Sequence, residues 1–334
     1  MTPAPLRLSV LAGLLVAGAM PTPNPARSAD LRSGYVLVAN QKSANVSLID
    51  LRTDSAKLIP VGNGPHEAVI APSGRVGVVT IYGAQQPGNQ LAVVDIASGT
   101  VTQTISLGEY TRPHGAMFVP GDESRVVVTS ESTGNIVLVN LAEGRVEGAI
   151  PTGAKVSHMV ALTADGKRAF TANIISGDVS EMDLVNRTFV RTIPVAPRSE
   201  GIAVAPDGST VWAGSNTNGT VSIIDTKTGT IATTLTGFSL PYRLAISADG
   251  KTAIICDPQA DKLHIADVKQ RKVIWSLEGI GSPRGVNIAP DGKTAFVTLA
   301  EDQTMGVIDL EKRKLTRKVA VGESPDGVWY GPAR

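Results

Sequence analysis

Apolar residues in this chain come in short runs of about six, separated by small clusters of Gly, Asp, Asn, Thr and Pro. One stretch shows the rhythm. "GIAVAP" runs into the turn "PDG" at Pro206–Gly208, and "TVWAGS" follows. After "NTNG" comes "TVSIID", then the turn "TKTG" and the run "TIATTL". Runs of this length, rich in Val, Ile and Thr and bounded by turn formers, predict strands. Asp-Gly between two such runs predicts a hairpin, because glycine accepts the positive φ of a tight turn. Equivalent turns stand at Ala164–Gly166, Ala248–Gly250 and Pro290–Gly292. Each unit therefore predicts a four-stranded antiparallel sheet.

The unit repeats. Seven related phrases are "PHEAVIAP", "PHGAMFVP", "SHMVALTA", "SEGIAVAP", "PYRLAISA", "PRGVNIAP" and "PDGVWYGP". They begin at Pro65, Pro113, Ser157, Ser199, Pro241, Pro283 and Pro325, so the spacing is 48, then 44, then 42 four times. A strand-rich period in the low forties predicts a β-propeller. The first repeat begins at a second strand, "YVLVAN" (Tyr35–Asn40), and the last stops after a first strand, "GVWYGP". The C-terminal strand can thus complete the N-terminal blade and close the ring, which removes two open sheet edges. The expected fold is all-β: one seven-bladed propeller over residues 31–334. A solenoid would leave the matching half-blades unexplained.

Two stretches, "YVLVANQKSANVSLIDLRTDSAKLIPVGNGP" and "VWAGSNTNGTVSIIDTKTGTIATTL", resemble the YVTN-type β-propeller repeat. The resemblance covers nearly all of the chain after the leader. It implies kinship with lactonase-type seven-bladed propellers and with the propeller domains of nitrous oxide and cytochrome d1 nitrite reductases. The chain departs from those reductases in carrying no haem motif and no cupredoxin domain. It also lacks the Gly-His and Trp-Asp marks of WD repeats. What the resemblance specifies is the fold; it names no substrate.

The N-terminus reads differently. Arg7 precedes the apolar run "LSVLAGLLVAGAM" (Leu8–Met20). Thirteen residues are short for a bilayer span and suit the core of a signal peptide, with cleavage after Ala19 or near Ser28–Ala29. Residues 1–29 are expected to be a leader and the rest a periplasmic or secreted monomer without a membrane span. A membrane anchor is the alternative.

Composition narrows the chemistry. Lys+Arg is 31 and Asp+Glu is 30, so no overall charge draws the protein to nucleic acid. A single cysteine, Cys256 in "AIICD", excludes an intrachain disulfide, cysteine-rich zinc sites and c-type haem attachment. No phosphate-binding glycine loop and no "GxSxG" elbow occurs, so no nucleotide is expected.

Three of the four histidines occupy the second position of the repeated phrase. Around the ring that position reads His66, His114, His158, Glu200, Tyr242, Arg284 and Asp326. The innermost strands of a propeller line its channel, so these seven side chains should form a polar belt at one mouth. Three readings remain open for the histidines. As His66, His114 and His158, they could hold a divalent transition metal such as zinc, with Glu200 as a fourth ligand or a catalytic general base. They could instead bind a small polar ligand without metal, or be structural. Arg243 and Arg284, with Tyr242 and Asp326 beside them, could grip an acidic ligand. Alternatively, the arginines pair with Glu200, Asp326 or Glu67 and close the mouth. The loop Ile81–Gln90 is the longest on this face and offers Tyr82 as a further ligand contact. His264, in "KLHIAD", should lie away from the ring. Two functions follow: an exported propeller that binds a small polar ligand or an envelope protein, or a metal-dependent lactonase, hydrolase or lyase.

Overall fold

The computed structural model describes residue 1 and residues 33–333. The leader expected over residues 1–29 lies outside the described residues apart from Met1. Among the described residues no helix is long and apolar enough to cross a membrane.

Seven four-stranded antiparallel sheets form the ring. In one sheet the C-terminal strand Pro325–Gly331 pairs with Tyr35–Asn40, which continues to Asn45–Asp50 and Ser55–Pro60. The register Val36↔Tyr330 and Val38↔Val328 fastens the two chain ends side by side. The other six blades are each contiguous in sequence. Their innermost strands are Pro65–Ile70, Pro113–Val119, Ser157–Leu162, Ser199–Val204, Arg243–Ile246 and Pro283–Ile288.

Second and third strands are buried on both faces, whereas outer strands alternate or are largely exposed. That pattern follows from blades packing face to face, with each core lying between two neighbours. Val69, Leu91 and Ile105 of one blade meet Phe118, Val126 and Val139 of the next. Across the closure, Val36, Val38, Val328 and Tyr330 pack on Phe296 and Val307. Cys256 lies within such a core, where burial pushes its thiol well above the ordinary range.

The closure strand supports both a ladder and part of a core. Deleting residues 325–334 should leave Tyr35–Asn40 as an open edge and expose the Phe296 cluster. Each large apolar side chain uncovered costs about 1.5–3 kcal/mol. Thermal unfolding followed by circular dichroism should drop by about 10 °C or more or lose its cooperativity. An unchanged transition would show that the ring is held elsewhere.

Candidate functional site

Six of the belt residues lie at the start of the inner strands, where the pairing is interrupted; Tyr242 stands just before a strand, Arg243–Ile246, that pairs without a break. Register breaks fall between Pro65 and Ala68, Pro113 and Ala116, Ser157 and Met159, Ser199 and Ile202, and Pro283 and Val286. A bulge of this kind re-aims side chains and bends the strand. Its freed N–H groups need partners, and buried threonines of the second strand supply them. Thr80 Oγ1 accepts from Glu67 N at 3.0 Å, Thr129 Oγ1 from Gly115 N at 2.8 Å, and Thr298 Oγ1 from Gly285 N at 2.7 Å. Glycine follows the belt residue where neighbouring inner strands nearly touch. A Cβ on Gly285 would stand 2.0 Å from the Asp326 carbonyl oxygen. Glu67, Met159 and Arg243 occupy the same place in the other three blades.

A second tier stands over the belt. The residue before six of the phrases has a left-handed backbone: Gly64, Arg112, Val156, Arg198, Ser282 and Ser324, with φ between 54° and 63°. The carbonyl of each receives an N–H from the end of a second strand: Tyr82 within its strand, and Glu131, Ile174, Asn216, Ala300 and Gln41 just after theirs, respectively. In the Tyr242 blade Pro258 holds that place and has no N–H. The second tier is therefore polar at Gln41, Tyr82, Glu131 and Asn216, and apolar at Ile174, Pro258 and Ala300.

His66 and His114 meet directly, with Nδ1 of the first 3.0 Å from Nε2 of the second. Gln41 Nε2 lies 3.2 Å from His66 Nδ1 and donates to Asp326 Oδ2 at 2.6 Å. The His114 and His158 rings stack at 3.7 Å between centroids. His158 Nδ1 bonds Glu131, whose other oxygen accepts from Tyr82 Oη at 2.6 Å. Tyr82 also packs its ring against His66 at 4.3 Å. His158 Nε2 is 3.4 Å from Glu200 Oε1, close enough for an ion pair but not aligned as a hydrogen bond.

Electrostatics separate the three histidines. Burial pushes His66 down to about 4 against the pull of Asp326. Burial also lowers His114 well below its usual value, with His158 and His66 adding to it. Both are neutral imidazoles at pH 7. Burial opposes charge on His158 too, but its bond to Glu131 and the nearby Glu200 carboxylate outweigh burial and raise it. A protonated imidazole donates and cannot ligate.

Arg243 corrects the expectation that it meets ligand. It is 4 % exposed, with three carboxylates around it. Nη2 donates to Glu67 Oε1 at 3.0 Å, Nη1 to Glu200 Oε1 at 3.4 Å, and Nη2 lies 3.8 Å from Asp326 Oδ2. The reading in which the arginine closes the mouth applies to it. The Tyr242 ring packs on its guanidinium at 4.3 Å. Glu200 is no free base: one oxygen faces His158 and Arg243 and the other accepts from Asn216. Its carboxyl lies below the usual range, because His158 and Arg243 outweigh the effect of burial. Asp326 is fully buried, with Oδ1 unpartnered. Arg284 is half-buried; its side chain reaches Ser324 Oγ at 3.5 Å and has no carboxylate in ion-pair range among the described residues.

Donor atoms suited to a metal fall into two overlapping sets. One is His66, His114 and Asp326; the other is His114, Glu131 and His158. Neither contains all three histidines. The expected long loop is shorter than its sequence suggests, since strands extend to Gly83 and resume at Pro87. His264 stands apart, with Nδ1 2.9 Å from Ser276 Oγ and Nε2 3.5 Å from Asp257. Asp257 in turn accepts the N–H groups of Ser239 and Leu240, which makes this a loop clamp.

Residues 253–332 match the YNCE-like β-propeller family. No curated protein matches. Among solved structures the chain is similar to Kuenenia stuttgartiensis hydrazine synthase, at 19% identity and a TM-score of 0.74, covering 84% of this chain and 93% of that one. It is also similar to a functionally unknown protein from Desulfotomaculum acetoxidans DSM 771, at 14% identity and a TM-score of 0.78, covering 90% of this chain and 100% of that one. At these identities the likeness is one of fold, and none of these findings bears on a lactonase relation. With the 42-residue repeat and the shared closing blade, they make the chain a seven-bladed β-propeller whose residues 253–332 are similar to the YNCE-like propellers.

Proposed function

We propose that this protein is an exported propeller that binds a divalent transition-metal ion at its polar mouth, and through it a small polar ligand. One observation carries the reading: an excess of buried carboxylate beside two uncharged imidazoles. Among the described residues, Glu67, Glu131, Glu200 and Asp326 have Arg243 and His158 as their ion-pair cations, so four carboxyl groups face two cations and at least one negative charge is uncompensated even with Glu67 protonated. Burial raises the Glu67 carboxyl to about 7, although Arg243 pulls against it. A buried excess charge is costly, and a divalent cation offsets it.

The set His66, His114 and Asp326 suits that ion best. Both imidazoles are neutral, and their facing nitrogens are 3.0 Å apart. Two nitrogens on one tetrahedral zinc, each at ~2.0–2.1 Å, stand ~3.3 Å apart, so little movement is needed. Asp326 adds an oxygen in the same set. The Tyr82 ring packs on His66 and His114, and half-buried Arg284 bonds Ser324 Oγ; these two are the residues proposed to meet a polar or acidic ligand.

The test is the metal content of the mature protein, purified without a histidine tag and measured by mass spectrometry. About one equivalent of zinc, copper, nickel or iron per chain is expected. Protein that is metal-free and gains no thermal stability from any of these ions would sink the reading.

A further inference from the structure

The channel does not end at the mouth. Beneath the belt is a second cavity of about 190 Å³, whose polar end is formed by Glu67 and Arg243. Its wall is apolar, with Met159, Val204, Ile246 and Trp329 contributed by different blades. These four side chains are only partly buried: each packs against a blade core on one side and borders this space on the other. The cavity continues into a larger one of about 380 Å³, with which it shares Met117, Asn287, Ile288 and Trp329. That outer cavity is bordered by Pro72, Pro120 and Pro290 at the turns opposite the metal mouth. The channel therefore opens at the far face and is blind at the Glu67–Arg243 pair.

The two charged groups at the blind end are not equal. Three N–H donors of the Arg243 guanidinium are committed to carboxylates: Nε and Nη2 to Glu67 Oε1, and Nη1 to Glu200. The two remaining N–H groups of the arginine stand among the same carboxylates, with Nη2 3.8 Å from Asp326 Oδ2, so an incoming anion would meet Glu67, Glu200 and Asp326 along with the guanidinium. Glu67 uses Oε1 for both of its bonds to Arg243, and Oε2 takes none of them. An acceptor thus faces the cavity end with negative charge around it. Ligand pockets for drug-sized molecules are ~300–1,000 Å³, so a space of 190 Å³ takes a slender molecule.

We propose that the far side of the channel is a binding site for a linear alkylammonium-type ligand, its chain among Met159, Val204, Ile246 and Trp329 and its cationic head on Glu67. Burial of the chain drives binding and a charge-assisted hydrogen bond sets its orientation. The site stands on other residues than the metal set and does not depend on it.

Hexylammonium, hexanoate and 1-hexanol, titrated into chelator-treated protein, test this. Binding is read by calorimetry and by the emission of Trp329, with Trp329→Phe identifying that signal among the three tryptophans. Hexylammonium should bind about tenfold or more tightly than hexanoate, as expected for one hydrogen bond to a charged group. Val204→Phe, which narrows the cavity, should abolish binding, and Glu67→Gln should bring hexylammonium level with hexanol. Hexanoate binding as well as hexylammonium, no binding by any probe, or binding unaffected by Val204→Phe would each overturn the proposal. Should Val204→Phe fail to fold, Ile246→Phe takes its place. Failure of the metal reading leaves all these outcomes unchanged.

Discussion

Replacing Arg243 by methionine should destabilise the protein by about 3–5 kcal/mol, the usual cost of removing one partner from a buried charge cluster. The guanidinium holds Glu67 and Glu200 and lies within ion-pair range of Asp326, at a place that is 4 % exposed. Without it three carboxylates share a buried space. Methionine keeps most of the volume, so the loss reports charge and not a cavity. Urea unfolding should show a lower midpoint with an unchanged slope. Adding Glu67→Gln should recover part of the loss, because one of the stranded charges is gone. A variant as stable as the parent would mean that water reaches the cluster and screens it. The same substitution raises the negative excess at the mouth, so its metal should be retained.

His114→Ala should reduce bound metal at least tenfold while leaving the propeller folded. His114 belongs to both donor sets, and its Nε2 faces His66. The lost contacts should cost about 1–3 kcal/mol, well within the stability of a domain of this size. His158→Ala is the informative companion. His158 is committed to Glu131 and Glu200, so metal should stay within a few-fold of the parent. Equal loss in both variants would move the ion to the set His114, Glu131 and His158. Loss in neither would dissociate the histidines from metal altogether.

Most of the fold is legible in the chain because a propeller repeats its instructions. The Asp-Gly turns mark the end of inner strands, and the phrase spacing sets the blade count. The half-repeats at Tyr35 and Pro325 foretell the closure. The belt of seven is legible for the same reason, since one position per blade has one height. What was hidden lay one step away from that position. Glu131, Asn216 and Gln41 reach the belt from the residue after each second strand, a place held elsewhere by Ile174, Pro258 and Ala300. Its chemistry varies, so it does not announce itself, although the fixed offset from the phrase could have found it. Arg243 was visible, but a grip on ligand and pairing with Glu200, Asp326 or Glu67 were both open to it. Only the ring's closure shows that Glu67, 176 residues earlier, is its partner. Charge on His158 was equally out of reach, because it comes from Glu131 in another blade.

The bulges at the start of the inner strands have a consequence for how such a mouth can change over generations. Each belt side chain on a bulge stands on a short irregular piece of backbone, and regular pairing resumes two or three residues later. An exchange at one belt position therefore leaves the register of its own blade and the cores of its neighbours untouched. Six such sites, each inherited with its own blade, can be rewritten singly. Blades of equal length can also be duplicated or reordered as units. On this view, His66, His114 and Asp326 are one spelling among many that the same scaffold tolerates.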